Sequence, residues 1–365
     1  MTKKLTIRDI AGLADVSTAT VSRVLNQKPD VDPATRERIL RIMEEQSFMP
    51  NIAASGLAGR RSHLLGVLTP SFTWPLIPEL MRGISEVVDS TSYELILYSI
   101  TDANDKDPSD VIDRIVRTRL AAGLLAVFPG LSTRHLTELN SRNFPVILID
   151  DQGIPPEGTP WISVENRPGA YEATRHLIRL GHRRIAHIQG PLRYQVSHDR
   201  YMGYCDALNE AGIAPDPILV REGDFLPRGG YISSNVFFDL PAEQRPTAIF
   251  AASDYMAYGA ISAAEQRGLS VPEDMAVVGF DDNPTSAHME PALTTVRQPF
   301  YELGRRATEM LLALVETPRY VNGLNHNGRV LGAPSSTASE SIRIKLPTSL
   351  IVRTSCGASR GVTMV

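Results

Sequence analysis

Thr6–Asn26 reads TIRDIAGLADVSTATVSRVLN. Ile7, Ile10, Ala11 and Ala14 recur at i, i+3, i+4 and i+7, a spacing that places four apolar groups on one helical stripe. Thr6 stands just ahead of them as an N-cap, its hydroxyl able to accept a bond from an otherwise unpaired N–H of the first turn. Asp15-Val16 interrupts the pattern, Ser17 is a second N-cap, and Val21, Val24 and Leu25 form a second stripe. Two short helices are therefore predicted to share one small core. The second leaves Thr18, Ala19, Ser22, Arg23 and Asn26 outside. This face of short polar groups, one methyl and one guanidinium is shaped to enter a groove of DNA.

A helix that reads base edges needs small side chains at its N-terminal end, because bulky ones hold it off the duplex. Arg23 can bond guanine bidentately, and the methyls of Thr18 and Ala19 can touch thymine. Ser17, Thr20, Ser22 and Asn26 suit phosphate oxygens, which position the helix without reading sequence, and Thr6 is a further DNA-binding candidate. An ordinary amphipathic hairpin carries the same pattern, so the context has to decide. Asp32-Pro33 opens a third helix with an N-cap and a proline at the first helical position, and Ile39, Ile42 and Met43 supply its buried stripe. Arg36, Arg38 and Arg41 are left for solvent or phosphate. Met49-Pro50 is expected to end this headpiece, residues 1–49, because a residue before proline is pushed out of the helical region. Asn51 can then cap a short helix over Ile52–Ala58, within a hinge or linker of residues 50–62.

Composition narrows the remainder. A chain of 365 residues, 42% hydrophobic and 21% charged, has length for two or three cored domains. Residues 1–62 carry ten Lys/Arg against seven Asp/Glu, a net +3, which leaves −7 for the rest of a chain whose net charge is −4. A basic head on an acidic body helps to present one end to phosphates. Cys205 and Cys356 are the two cysteines, too few for a disulfide framework or a cysteine-rich zinc site. No apolar run approaches membrane-spanning length and the start MTKKLTIRD lacks a secretory apolar segment, so a cytoplasmic protein without membrane contact is expected.

From Leu64 onward, apolar runs (Leu64–Leu68, Leu95–Ser99, Gly123–Phe128, Val146–Ile149, Ile185–Ile188, Ala248–Ala251, Ala276–Phe280) alternate with amphipathic stretches such as Ile77–Ser90, Pro168–Leu180, Arg200–Ala211 and Tyr255–Arg267. Alternation of this kind implies parallel sheets with helical crossovers. Ligands of such sheets bind outside the carboxyl ends of the strands. Phe72 and Trp74, Asp150, Phe225, Ser253 and Asp281 all fall at or just after such ends, and Tyr194 is a further effector-site candidate. Asp254 reads more as a helix cap than as a ligand contact, Asp282 as a turn, and Phe280 as core.

The words VSTATVSRVLN, VDPATRERIL and FMPNIAASGLAGRRS resemble the amino-terminal domain of lactose-repressor-type (LacI/GalR) transcriptional regulators. RLGHRRIAHIQGP, RPTAIFAASDYMAYGAI, VPEDMAVVGFDD and PALTTVRQP resemble the effector-binding core of the same family, in the same order. The resemblance implies an all-α helix-turn-helix headpiece followed by a core, residues 63–365, of two doubly wound lobes like those of periplasmic sugar-binding proteins. Three crossings near Ser163, Pro291 and Val321 would divide it into a first lobe of 63–163 and 291–321 and a second of 164–290 and 322–365. It implies a hinge helix that forms on DNA and sets Leu57 as a wedge in the minor groove, with Asn51 and Ala54 beside it. Ser55-Gly56 departs from the family pattern, and a glycine within a helix costs about 1 kcal/mol relative to alanine, so this hinge is expected to be disordered away from DNA.

Carried over in the same way, the effector-contacting arginine falls on Arg200 and the aspartate on Asp281. The stacking aromatic falls on Trp74 or Phe225, although Trp74 equally suits an interface between subunits. Arg and Asp together suit a polyhydroxylated effector, a sugar or sugar derivative; a purine or other planar ligand would stack on the same rings. Palindromic double-stranded operator DNA and a homodimer follow from a headpiece that reads half a site. A sugar-binding protein without a regulatory role would share the core, but not the headpiece. An enzyme is disfavoured by the lack of a Walker A sequence, HExxH, G-x-S-x-G or CxxC pair, and no cofactor or metal is implied. Residues 317–341, rich in Gly, Asn, Ser and Pro, are expected to be a disordered loop, and Leu350–Arg353 a final strand of the second lobe.

Overall fold

The computed structural model describes residues 5–25, 28–46, 48, 62–69, 72–99, 108–118, 120–128, 136, 139, 144–150, 158–316 and 342–358. Asn26, Asn51, Ala54, Leu57 and the loop 317–341 lie outside the described residues. The chain divides into two compact units, Met1–Ser62 and His63–Val365.

In the first unit, α1 (Ile7–Leu13), α2 (Thr18–Leu25) and α3 (Pro33–Glu45) enclose Ile10, Ala11, Ala14, Val21, Val24, Val31, Ile39 and Met43. Ile7, Leu25 and Ile42 pack at the edge of this core, half-buried. Thr6 and Asp9 form a reciprocal capping box at the start of α1. Its end is closed by Asp15 in the left-handed region (φ 48°), with Val16 N–H donating to Ala11 O at 3.0 Å. The Ser17 hydroxyl accepts from Thr20 N–H at 3.1 Å and the Asp32 carboxylate from Thr35 N–H at 3.0 Å, so both act as the caps that their positions predict. The third helix ends at Glu45, ahead of Met49-Pro50.

The second unit is two lobes, each built on a six-stranded sheet. The strands are β1 (Leu64–Thr69), β2 (Glu94–Ser99), β3 (Ala121–Val127), β4 (Val146–Ile149), β5 (Trp161–Val164), β6 (Ile185–Gln189), β7 (Val220–Glu222), β8 (Ala248–Ala251), β9 (Ala276–Asp281), β10 (Thr294–Arg297), β11 (Arg343–Leu346) and β12 (Ser349–Ile351). The first sheet runs β11-β5-β4-β3-β1-β2, every pairing parallel. The second runs β12-β10-β9-β8-β6-β7, parallel except where β12 closes the edge antiparallel to β10. Central strands such as VILI and AIFA are buried throughout because helices cover both faces. In the first lobe α4 (Ile77–Asp89) and α10 (Phe300–Glu316) pack on one face, and α5 (Pro108–Thr118) on the other. In the second, α8 (Pro227–Phe238) and α9 (Asp254–Gln266) face α6 (Asn166–Arg179) and α7 (Gln195–Glu210) across the sheet.

The lobe boundaries differ from the expectation in two places. Thr294–Arg297 belongs to the second lobe, because it pairs in register with β9, whereas Arg343–Leu346 belongs to the first, because it pairs with β5. Neither could be seen locally. TTVR reads as polar until the buried Thr294 and Thr295 hydroxyls find Cys356 Sγ and the Asp254 carboxylate. The three crossings are consequently Glu165, Gln298-Pro299 and Pro347-Thr348, between β5 and α6, β10 and α10, and β11 and β12. Two of them are joined directly, the Thr348 hydroxyl donating to Glu165 O at 3.4 Å.

Candidate functional site

Every strand end that carries a candidate residue opens toward one cavity between the lobes, of about 280 Å³. Trp74 and Phe128 come from the first lobe beyond β1 and β3, their rings 5.6 Å apart. Tyr194 and Phe225 come from the second beyond β6 and β7, stacked at 6.1 Å. Gly190 makes room for this second pair, since a Cβ there would overlap the Phe225 ring. Of the predicted residues, Trp74, Asp150, Tyr194, Arg200, Phe225, Ser253 and Asp281 line the cavity. Phe72 does not: it is 44% exposed and outside the lining, so proximity to the end of β1 was not enough. Arg193, Asp224, Tyr255, Asn283 and Gln298 complete the polar and aromatic wall, and the sequence reading did not single them out.

The floor is a buried charge network. Arg200, 4% exposed, lies over the Phe280 ring at 3.8 Å and donates from Nε to Asn166 Oδ1 at 2.9 Å. Its Nη1 donates to Ala252 O and stands 3.6 Å from Asp281 Oδ1. The same Asp281 oxygen accepts from Gln298 Nε2 at 2.7 Å. The Gln298 Oε1 is buried without a partner among the described residues. Asn166 borders one of the crossings between lobes and Gln298 lies in another, so this ion pair is bonded to residues at two of the crossings.

Behind it lies Asp254. It does not cap α9, a role taken by Ser253, whose hydroxyl accepts from Met256 N–H at 3.2 Å. Its fully buried carboxyl group accepts instead from Asn283 N–H at 2.7 Å and from the hydroxyls of Ser286 and Thr295, bracing the loop that carries Asp281 and Asn283. Burial and then the nearby Asp281 charge push Asp254 up to about 8; burial raises Asp281 to about 6, with Arg200 pulling it down. Burial and the mutual repulsion of the two carboxyls oppose their ionising together, while the Arg200 charge favours the ionised form of Asp281. Asp282 is more than a turn residue, for its two oxygens pair with Arg297 and Arg353 at 2.6 Å each.

Backbone strain marks the same place. Phe128 (φ 46°), Asp150 (φ 50°), Phe225 (φ 63°) and Asp281 (φ 125°) all sit in the region that favours glycine, and all four line the cavity. Such conformations cost on the order of 1–3 kcal/mol each and persist where surrounding structure holds them, typically at sites of function. No cluster of metal-ligating side chains occurs among the described residues.

On the headpiece, Thr6, Ser17, Thr18, Ala19 and Arg23 are exposed, while Thr20 and Ser22 are half-buried. The Ser17 and Thr20 hydroxyls bond each other at 2.9 Å. Arg23 is engaged by Asp30, through Nε to Oδ1 at 3.3 Å and through Nη2 to Oδ2.

A capped helix-turn-helix unit joined to a two-lobed core with a charged cleft defines a DNA-binding protein with a small-ligand site. Comparison with known proteins gives the same two parts. Residues 6–51 match the family described as bacterial regulatory proteins, lacI family, and residues 174–356 the periplasmic binding protein-like domain. The HTH-type transcriptional repressor CytR of Escherichia coli (strain K12) is 34% identical over 307 residues, 84% of this chain and 89% of that protein. Among solved structures, the lac repressor dimer bound to operator and the anti-inducer ONPF is 29% identical with a TM-score of 0.79, over 97% of this chain and 99% of that one. A complex of the transcriptional regulator CelR with cellobiose is 28% identical with a TM-score of 0.67, over 96% and 99%. The chain belongs to the lacI family of bacterial regulatory proteins, and it is a DNA-binding transcriptional regulator. No helix among the described residues is long and apolar enough to cross a membrane.

Proposed function

We propose that this chain is a homodimeric repressor whose two headpieces read a palindromic operator and whose affinity for it is set by a sugar or sugar derivative in the cleft. Arg23 and the N-terminal end of α2 read bases, and Ser17, Thr20 and Ser22 meet phosphates. Arg200, Asp281 and Asp150 hold hydroxyls in the cleft, and the ring pairs Trp74–Phe128 and Tyr194–Phe225 cover the apolar faces of the ligand. The observation that carries this reading is the attachment of the Arg200–Asp281 pair to Asn166 and Gln298 beside two crossings. A ligand that replaces the contacts of that pair acts on the residues that set the angle between lobes. The shift in operator affinity is then limited by the difference in ligand affinity between the two lobe arrangements.

The test is operator binding by fluorescence anisotropy with a panel of sugars and nucleobases, the latter included because the two ring pairs would also sandwich a planar base. One compound is expected to change affinity about tenfold, equivalent to about 1.4 kcal/mol of coupling. Arg200→Ala, with Arg200→Lys as the milder change, should leave DNA binding intact and remove the response. Equal loss of both activities in both variants would refute this assignment of the cleft.

A further inference from the structure

We infer that Asp30 is a positioning residue for DNA reading: it grips Arg23 along one edge and presents the other to a guanine. Arginine offers a side-on edge, Nε with Nη2, and an end-on fork, Nη1 with the second hydrogen of Nη2, and each can serve a bidentate partner. Asp30 occupies the side-on edge with both carboxylate oxygens. Among the described residues the end-on fork has no partner, and it is the fork that matches O6 and N7 of guanine.

Asp30 is itself held in place. Lys28 N–H donates to Arg23 O at 3.0 Å, Arg36 Nη2 donates to Lys28 O, and Val31 is buried in the headpiece core beside Asp32, the cap of α3. The backbone on either side of Asp30 is therefore tied to the same core that fixes α2. Both side chains remain about half exposed, 56% for Arg23 and 47% for Asp30. An exposed pair of this kind contributes about 0–1 kcal/mol to stability, so its consequence lies in orientation and charge. An arginine already ordered loses less freedom when it bonds a base. An arginine already neutralised is drawn less to phosphates at random. Asp30 thus raises discrimination while lowering affinity for unrelated DNA.

This inference rests on Arg23 reading a base, and the experiment separates the two. A palindromic operator is first selected from a randomised library with the full-length protein. Anisotropy then measures binding to that operator, to its single symmetric substitutions and to scrambled DNA, for wild type, Arg23→Ala, Asp30→Ala, Asp30→Asn and the Arg23→Ala/Asp30→Ala double variant. Arg23→Ala should relax discrimination at one symmetric position by about tenfold or more. Both Asp30 variants should relax the same position by about threefold to tenfold, leave other positions unchanged, and bind scrambled DNA about twofold to threefold more tightly at low salt. In the Arg23→Ala background, losing Asp30 should change nothing at that position. If Arg23→Ala relaxes its position while both Asp30 variants keep or sharpen wild-type discrimination there, the inference is wrong and the reading of Arg23 stands. Uniform weakening at every position in the Asp30 variants makes Asp30 merely structural and also overturns it. If Arg23→Ala relaxes no position, the base-reading assignment fails and takes the inference with it.

Discussion

At the scale of single residues, His187 shows what burial does to a titratable group. It lies on β6 beneath Arg200, stacked on Tyr204 at 5.0 Å and Phe250 at 4.9 Å, and its Nδ1 bonds Phe250 O at 2.9 Å. Burial lowers it to about 4, the backbone bond to Phe250 working against that and the Arg200 charge adding to it. The folded state therefore binds fewer protons than the unfolded chain between about pH 4 and 6.5. This contribution to stability is complete above pH 6.5 and is lost as the pH falls toward 4. Over the whole window it amounts to on the order of 3 kcal/mol. Urea denaturation at pH 7 and pH 4.5 should show a loss for the wild type that is clearly smaller in His187→Phe. An equal loss in both would mean that other groups dominate. Asp254 has the opposite sign, since its raised value makes the folded state hold its proton, so its contribution fades as the pH rises toward 8.

At the scale of elements, α4 and α10 meet with glycine against backbone. A Cβ on Gly83 would run into Tyr301 O, and one on Gly304 into Leu80 O. This close approach lets Leu80, Ile84, Leu303, Ala307 and Leu311 form one core on the first sheet. Gly304→Ala cannot be relieved by turning a side chain, because the obstacle is main chain. It should cost about 1–3 kcal/mol or more, read as a fall in the denaturation midpoint of the core. An exposed control such as Gly12→Ala in α1, where no atom lies within 4 Å of the added Cβ, should cost nothing.

At the scale of the whole molecule, the two units have separate cores of very different size. Among the described residues, the headpiece buries eight apolar side chains around Ile10 and Ile39, whereas the larger unit has four clusters over two sheets. Calorimetry should resolve two transitions. Ile39→Ala, which removes about 2–5 kcal/mol from a large-to-small core change, should abolish the headpiece transition and operator binding while leaving the core transition in place. A saturating effector should raise the core transition alone, by about 2.7 kcal/mol when its concentration is 100 times Kd. Loss of both transitions in Ile39→Ala would mean that the units do not fold independently.

Local physics accounts for what could be read in advance. The stripes at Ile10, Ala11, Ala14 and at Val21, Val24, the caps Thr6, Ser17 and Asp32, and the apolar strand runs depend on neighbours a few residues apart, so the headpiece and the alternating α/β core were legible in the sequence. So was the set of strand ends that offered Trp74, Asp150 and Asp281, whereas Arg200, inside α7, was reached through the family resemblance. Tertiary structure decided the rest. Only pairing across distant segments assigns Thr294–Arg297 to one lobe and Arg343–Leu346 to the other. Only the tertiary arrangement puts Gln298 and Asn283 in the cavity wall while leaving Phe72 in solvent. The buried hydroxyls that turn Asp254 from an apparent cap into a brace arrive from 32 and 41 residues away along the chain. Periodicity reports which face of an element is apolar; it carries no information about which distant polar group will satisfy a buried one.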